Sequence, residues 1–187
     1  KMSPLSVITT SGMEQSVAQT RSFSNMMWPI ILLGEREIPE NTISAVHSAA
    51  KAYLSQYQDT ARQIGSDLTI DRFFFLGNGP LFGLAQEVML KMKEMSLSYS
   101  EAFHFLEFRH GPMSMVNPQS LIIGFTNQKS YSYELPVFRD MQKLGWRTLA
   151  VGKISEKPQG IDYLFDIGKN VPSNWSFPFY LPLIQLL

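Results

Sequence analysis

The stretch Asp71–Met95, DRFFFLGNGPLFGLAQEVMLKMKEM, decides the fold class. Arg72 to Leu76 (RFFFL) is an almost unbroken apolar run, the pattern of a strand buried on both faces. Gly77-Asn78-Gly79-Pro80 punctuates it as a turn. From Leu81 to Met95 the apolar residues Leu84, Ala85, Val88, Met89 and Met92 then recur on one helical stripe. Working outward, Leu121 to Phe125 (LIIGF) predicts a second buried strand and Tyr133 to Leu144 a helix ending at Gly145. Arg147 to Val151 (RTLAV) predicts a third strand and Tyr163 to Ile167 (YLFDI) a fourth. Strands alternating with helices predict a parallel sheet covered on both faces, so the fold class is α/β, a three-layer αβα sandwich.

Upstream of Asp71 the pattern is helical. Asn41 suits an N-cap, and Ile43, Val46, Ala50, Tyr53, Leu54 and Tyr57 follow at helical spacing to about Ile64, with a stop near Gly65. Gly34 to Pro39 is a charged break. Met13 to Met27 alternates small polar and apolar residues and reads as helix, with Pro29 opposing any continuation. Leu5 to Thr10 (LSVITT) predicts a short strand closed by a Ser11-Gly12 turn. The segment before Asp71 is too short for a second complete copy of the α/β unit.

Composition narrows the function classes. The chain has 187 residues, 44% hydrophobic and 17% charged, a globular balance with enough length for a real core. Sixteen Lys and Arg against sixteen Asp and Glu leave a formal net charge of zero, which argues against nucleic acid and anionic membrane as partners. With no cysteine there are no disulfides, thiolate nucleophiles or Cys-ligated metals, which fits a reducing compartment. The longest apolar stretch, Met26 to Leu33, is broken by Pro29 and falls short of the ~20 residues a span needs. The chain begins at Lys1 and finishes in the apolar run Phe177 to Leu187, and is expected to be a piece of a longer protein.

Three places have the residue types that chemistry needs. Gly77, Asn78, Gly79 and Pro80, with Gly83 behind them, make a glycine-rich turn between strand and helix, where α/β proteins cradle phosphate. The spacing is not the dinucleotide fingerprint, and such glycines also serve simply to turn the chain and let helix pack on sheet. On the next helix Glu87, Lys91 and Glu94 fall at i, i+4 and i+7 and share a face. That spacing suits a solvated ion-pair ladder, and equally a carboxylate with a lysine beside it for proton transfer and anion holding. The third is Glu107-Phe108-Arg109-His110-Gly111-Pro112. Here His110, before Gly-Pro, is either a titratable acid–base group or a surface histidine paired with Glu107. His47, on the upstream helix, and His104, between aromatics, read as structural.

The run Gly77–Val116, GNGPLFGLAQEVMLKMKEMSLSYSEAFHFLEFRHGPMSMV, resembles the second sugar isomerase (SIS) domain of the double-SIS sugar-phosphate enzymes. Those include the isomerase part of glucosamine-fructose-6-phosphate aminotransferase, the SIS-type glucosamine-6-phosphate deaminases and the tagatose-6-phosphate ketose/aldose isomerases. The paired motifs LKxKEMS and ExRHGP carry the resemblance. Glu14–Ser24, EQSVAQTRSFS, is similar to the end of the family's first SIS domain. The resemblance implies a Rossmann-like fold with residues 1–33 as the remnant of a first SIS domain, 34–70 as a linker helix and 71–187 as a second SIS domain lacking its C-terminal tail.

By that resemblance Glu94 moves the proton between C1 and C2, Lys91 stands beside the substrate, and His110 opens the sugar ring from the neighbouring subunit. Val17, Gln19 and Thr20 line the same pocket, at a domain junction where the carboxyl ends of the strands leave a crevice, and Arg109 joins as a substrate-binding residue. The implied function is a sugar-phosphate isomerase or deaminase, of the glucosamine 6-phosphate to fructose 6-phosphate type. It would need no metal or redox cofactor and would work in the cytoplasm as a homodimer or higher even oligomer. The alternatives are a non-catalytic sugar-phosphate sensor, the isomerase half of an aminotransferase and, more distantly, a dinucleotide-binding oxidoreductase. The chain departs from the aminotransferase at Gln19, where that family member has Ser, and at Arg21 and Arg109, where it has Lys. Nothing here matches the Ser/Thr-rich phosphate loop of the first domain, the glutaminase domain or the C-terminal lysine, so the chain alone is expected to form an incomplete site.

Overall fold

The structure, a computed structural model, describes residues 7–9, 12–35 and 37–187. Five strands form one all-parallel sheet in the order β2-β1-β3-β4-β5: β1 Arg72–Leu76, β2 Tyr99–Phe103, β3 Ser120–Phe125, β4 Arg147–Gly152 and β5 Tyr163–Asp166. The helices are α1 Arg21–Gly34, α2 Thr42–Gly65, α3 Pro80–Ser96, α4 Phe105–Arg109 and α5 Tyr131–Lys143. The strand period of two sorts the core into two layers. Phe73 and Phe75 of β1, Leu121, Ile123 and Phe125 of β3, and Leu149 and Val151 of β4 face α2, α3 and the C-terminal segment. Phe74 and Leu76, Ile122 and Ala150 face α4 and α5 on the other side. The α/β sandwich expected from the alternation of elements is the fold observed.

β2 is the element the sequence reading lacked. YSEAF carries no apolar run because it is the edge of the sheet and pairs only with β1. Its one fully buried residue is Ser100, whose hydroxyl is satisfied by the Met89 carbonyl at 2.9 Å. Glu101 beside it pairs with Lys93 at 3.4 Å, the kind of edge charge that discourages further strand pairing.

Other boundaries moved for identifiable reasons. α1 begins at Arg21, not near Met13, and runs through Pro29 to Gly34. Proline removes only the single bond to Asn25, and Phe23, Met27, Trp28 and Ile31 still pack on the core along this helix. α2 starts after Asn41, but the Asn41 side chain makes no capping bond; its carbonyl instead accepts from Ser44 Oγ and Ala45 N–H at 3.0 Å each. α2 ends at Gly65 for packing rather than for a left-handed cap, since a Cβ there would sit 2.4 Å from the Leu187 carbonyl oxygen. In the strand expected over residues 5–10, Val7 to Thr9 have no regular structure, and Leu5, Ser6, Thr10 and the Ser11 half of the turn lie outside the described residues. No helix among the described residues is long and apolar enough to cross a membrane.

Candidate functional site

The glycine turn explains how α3 is launched. A Cβ on Gly77 would fall 2.4 Å from the Leu81 carbonyl oxygen, so the first turn of the helix closes directly over β1. Gly79 has φ +55°, a left-handed conformation that glycine adopts without steric cost. These two glycines therefore have a structural use, while Gly83 meets nothing within 4 Å. From this turn α3 runs back along the sheet toward the start of β2, and its last three turns carry the Lys91 cluster.

Lys91 Nζ lies 2.8 Å from Glu94 Oε2 and 3.7 Å from Glu87 Oε1. The expected common face is observed, with Lys91 as its centre. Glu87 and Lys91 keep only 17% and 13% of their side-chain surface, whereas Glu94 keeps 39% and presents its carboxylate outward. Burial pushes the Glu87 carboxyl above the usual range against the pull of Lys91. Desolvation draws the Lys91 ammonium down, but its hydrogen bond to Glu94 and the charges of both glutamates outweigh it and hold the group above its usual value. The arrangement is a permanently charged lysine that fixes one exposed carboxylate and backs it with a second, desolvated one. Chemically it can accept a proton on Glu94 and hold an anion with Lys91.

The other expected site residues are distributed differently. His110 caps the C-terminus of α4 and is exposed. Glu107 does not pair with its side chain; that carboxylate accepts the His104 backbone N–H at 3.1 Å instead. α4 packs through Phe105 and Phe108 on one layer of the core and α3 through Leu84, Ala85, Val88 and Met92 on the other, so one chain does not bring His110 to Glu94. Arg109 is bound to Asp140 of α5 at 2.8 Å, an ion pair that pins α4 to α5. His104 stacks on Phe82 with ring centroids 3.9 Å apart, in line with its structural reading. Val17 is fully exposed, Gln19 is exposed, and Thr20 is tied by both its N–H and its hydroxyl to Glu14 at 3.2 and 3.1 Å. No hydrogen bond or ion pair among the described residues joins Val17–Thr20 to Lys91, Glu94 or His110.

The crevice at the carboxyl ends of the strands also departs from expectation. It opens where β1 and β3 send their helices to opposite faces, and Asn78, Asn127, Lys153 and Tyr180 line it. Lys91 and Glu94 do not, because α3 starts at this crevice and ends at the opposite edge of the sheet, beside the first residue of β2. Sequence reasoning found Asn78 but missed Asn127, Glu134, Lys153 and Tyr180. The readable signal was the polar run Thr126–Ser130 between a buried strand and a helix, the counterpart of the glycine turn after β1.

Three comparisons bear on this fold. Residues 69–137 match the SIS domain family. A glutamine–fructose-6-phosphate aminotransferase of Chlamydia abortus is 25% identical over 178 residues, 89% of this chain and 29% of that protein. The D-galactosamine-6-phosphate deaminase AgaS of Escherichia coli is 27% identical over 135 residues, 70% of this chain and 35% of that protein. Among solved structures, the tagatose-6-phosphate ketose/aldose isomerase of Escherichia coli superimposes with a TM-score of 0.72 at 21% identity, over 90% of this chain and 49% of that one. The chain thus spans about a third or less of the curated relatives it matches. The match to the SIS domain family over residues 69–137 runs from β1 into α5 and so includes the glycine turn and the Lys91 cluster.

Proposed function

We propose that this chain is the catalytic half of a sugar-phosphate isomerase or deaminase, with Glu94 as the base that transfers a proton between C1 and C2 of a phosphorylated amino or keto sugar. The observation that carries the reading is the Lys91 clamp, which holds one half-exposed carboxylate beside a charged ammonium at 2.8 Å. Glu94 takes the proton from the carbon next to the carbonyl or imine, the C–H electron pair forms the C1=C2 double bond, and the C=O or C=N π pair moves onto oxygen or nitrogen, which on protonation gives an enediol or enolamine. The same carboxylic acid returns the proton to the neighbouring carbon. In the deaminase direction water adds to the resulting ketimine carbon and ammonia leaves. Lys91 sits where it offsets the negative charge that develops on the substrate oxygen.

The rest of the site is assembled from several places. Val17, Gln19 and Thr20 belong to a first-domain segment, residues 1–33, joined through the linker 34–70 to the SIS domain of residues 71–187. His110 acts from a second copy of the chain, in a homodimer or higher even oligomer, and its position on the layer opposite α3 supports a role across a subunit boundary. Arg109, committed to Asp140, orients the His110 turn and reaches substrate only if that ion pair opens. Among the relatives, one is named for the aminotransferase reaction and one for amino-sugar-phosphate deamination, and both kinds of chemistry pass through a C1–C2 proton shift. Incubating the full-length protein with glucosamine 6-phosphate tests the reading: ammonia and fructose 6-phosphate should form together. Tight binding of the sugar phosphate without either product would identify a sensor instead.

A further inference from the structure

Asn78-Gly79 is the only place in the chain where glycine follows asparagine. Asparagine is one of the thermolabile residues, and this dipeptide has a chemistry of its own. The backbone nitrogen after the asparagine can attack the side-chain amide carbon, and glycine, with no Cβ, leaves that nitrogen unscreened. Gly79 and Pro80 are exposed and Asn78 is half-buried, so water reaches the dipeptide. Gly79 is held at φ +55° and ψ −130°, a conformation that calls for glycine. Among the described residues no backbone carbonyl accepts from its N–H, so the nucleophile is not tied into the turn.

The electrophile, by contrast, is restrained. Asn78 Nδ2 donates to Glu134 Oε1 at 3.1 Å. Glu134 is fully buried and also accepts from Ser130 Oγ at 2.5 Å and from the Asn127 N–H at 3.3 Å. With donors on both oxygens the carboxylate serves as an acceptor, so it fixes the Asn78 amide and offers a departing ammonia no proton. The backbone is fixed as well. The Asn78 carbonyl accepts from the Leu81 N–H at 3.2 Å, the Gly79 carbonyl from the Phe82 N–H at 3.0 Å, and the Gly77 N–H donates to the Phe103 carbonyl at 3.2 Å. A Cβ on Gly77 would fall 2.4 Å from the Leu81 carbonyl oxygen, so the turn has no slack for an inserted atom.

We propose that Asn78 is a site of spontaneous deamidation whose rate and consequence are both set by Glu134. The Gly79 nitrogen forms a bond to Asn78 Cγ, the Cγ–Nδ2 bond breaks, and ammonia leaves with the proton that the Gly79 nitrogen gave up, which yields a succinimide. Water then adds to one of the two imide carbonyls and opens the ring, to aspartate or, with the main chain rerouted through Cγ, to isoaspartate. Aspartate sets a carboxylate against Glu134 where an N–H donor stood, and like charges in a buried setting repel strongly. Isoaspartate adds a main-chain atom to a turn without slack. Either product loosens the start of α3, the helix that carries Lys91 and Glu94.

The test is incubation of the full-length protein at physiological temperature and mildly alkaline pH, once folded and once in urea. Peptide mass spectrometry locates each conversion of asparagine to the acid, and chromatography separates aspartate from isoaspartate. Asn78 should be the first asparagine converted in both samples, more slowly in the folded one by about tenfold or more, the weight of one hydrogen bond to a charged group. The product is made directly as Asn78→Asp and compared with Asn78→Ala, which loses the same bond without adding a charge. Asn78→Asp should melt about 4 °C or more below Asn78→Ala. Three results would overturn the proposal: another asparagine converting first, Asn78 in the folded protein either untouched or as fast as in urea, or an aspartate variant no less stable than the alanine one.

Discussion

Glu14 shows how a single side chain can carry local order. Its two carboxylate oxygens accept from Thr20 N–H and Oγ1 and from Ser22 N–H and Oγ, at 2.8 to 3.2 Å, so it ties down the stretch that leads into α1. The Ser22 amide does most to lower the carboxyl, and with the other donors it brings the pKa to about 2 despite some desolvation. A folded-state pKa below the ordinary value means the tie is fully present above the normal glutamate range and is lost as pH falls toward about 2. A carboxyl NMR titration of Glu14 should give a midpoint near 2; a midpoint in the ordinary range would show that the four bonds do not persist in solution. The sequence motif EQSVAQT drew attention to Val17, Gln19 and Thr20 as lining residues, yet the residue that organises the stretch is the glutamate in front of it. Reach across six and eight positions in an irregular segment has no periodicity by which a sequence could announce it.

At the scale of elements, the buried strands were legible as short apolar runs closed by turn residues, and the helices α2 and α3 by their apolar stripes. β2 was not, because an edge strand needs only one buried position and here that position is a serine. The glycines divide the same way. Gly124 in β3 lies under Phe138 and Phe105, whose rings would be 2.3 and 2.7 Å from an added Cβ, and those two rings already meet edge to face at 5.6 Å. Gly124→Ala should therefore cost ~1–3 kcal/mol by overpacking the layer between β3, α4 and α5. Gly83, at the end of the first turn of α3 with nothing within 4 Å, should respond in the opposite direction: Gly83→Ala should add ~0.5–1 kcal/mol through helix propensity. Denaturant melts of the two variants check both signs. A neutral Gly124→Ala would mean that the aromatic layer is looser than its ring contacts indicate.

For the whole molecule, the parallel sheet and the ladder Glu87-Lys91-Glu94 could be read from the chain alone, but the relation between sites could not. Which helix lies on which layer depends on topology, and topology separates His110 on α4 from Glu94 on α3 and puts the strand-end crevice at the far end of α3 from the clamp. Whether the assembled protein is a catalyst or a sensor turns on one carboxylate, because a sensor of sugar phosphates needs Lys91 but no proton acceptor. The ladder itself supplies the control. Glu87 touches the same lysine at 3.7 Å, yet its side chain keeps only 17% of its surface against 39% for Glu94. The most direct measurement is turnover of glucosamine 6-phosphate by the full-length protein with Glu94→Gln and, in parallel, Glu87→Gln. Removing the base at Glu94 should lower the rate by about 10²- to 10⁴-fold with melting temperature and sugar-phosphate affinity little changed, while Glu87→Gln stays close to wild type. Small, equal losses at both positions would contradict the account and reduce the ladder to surface ion pairs.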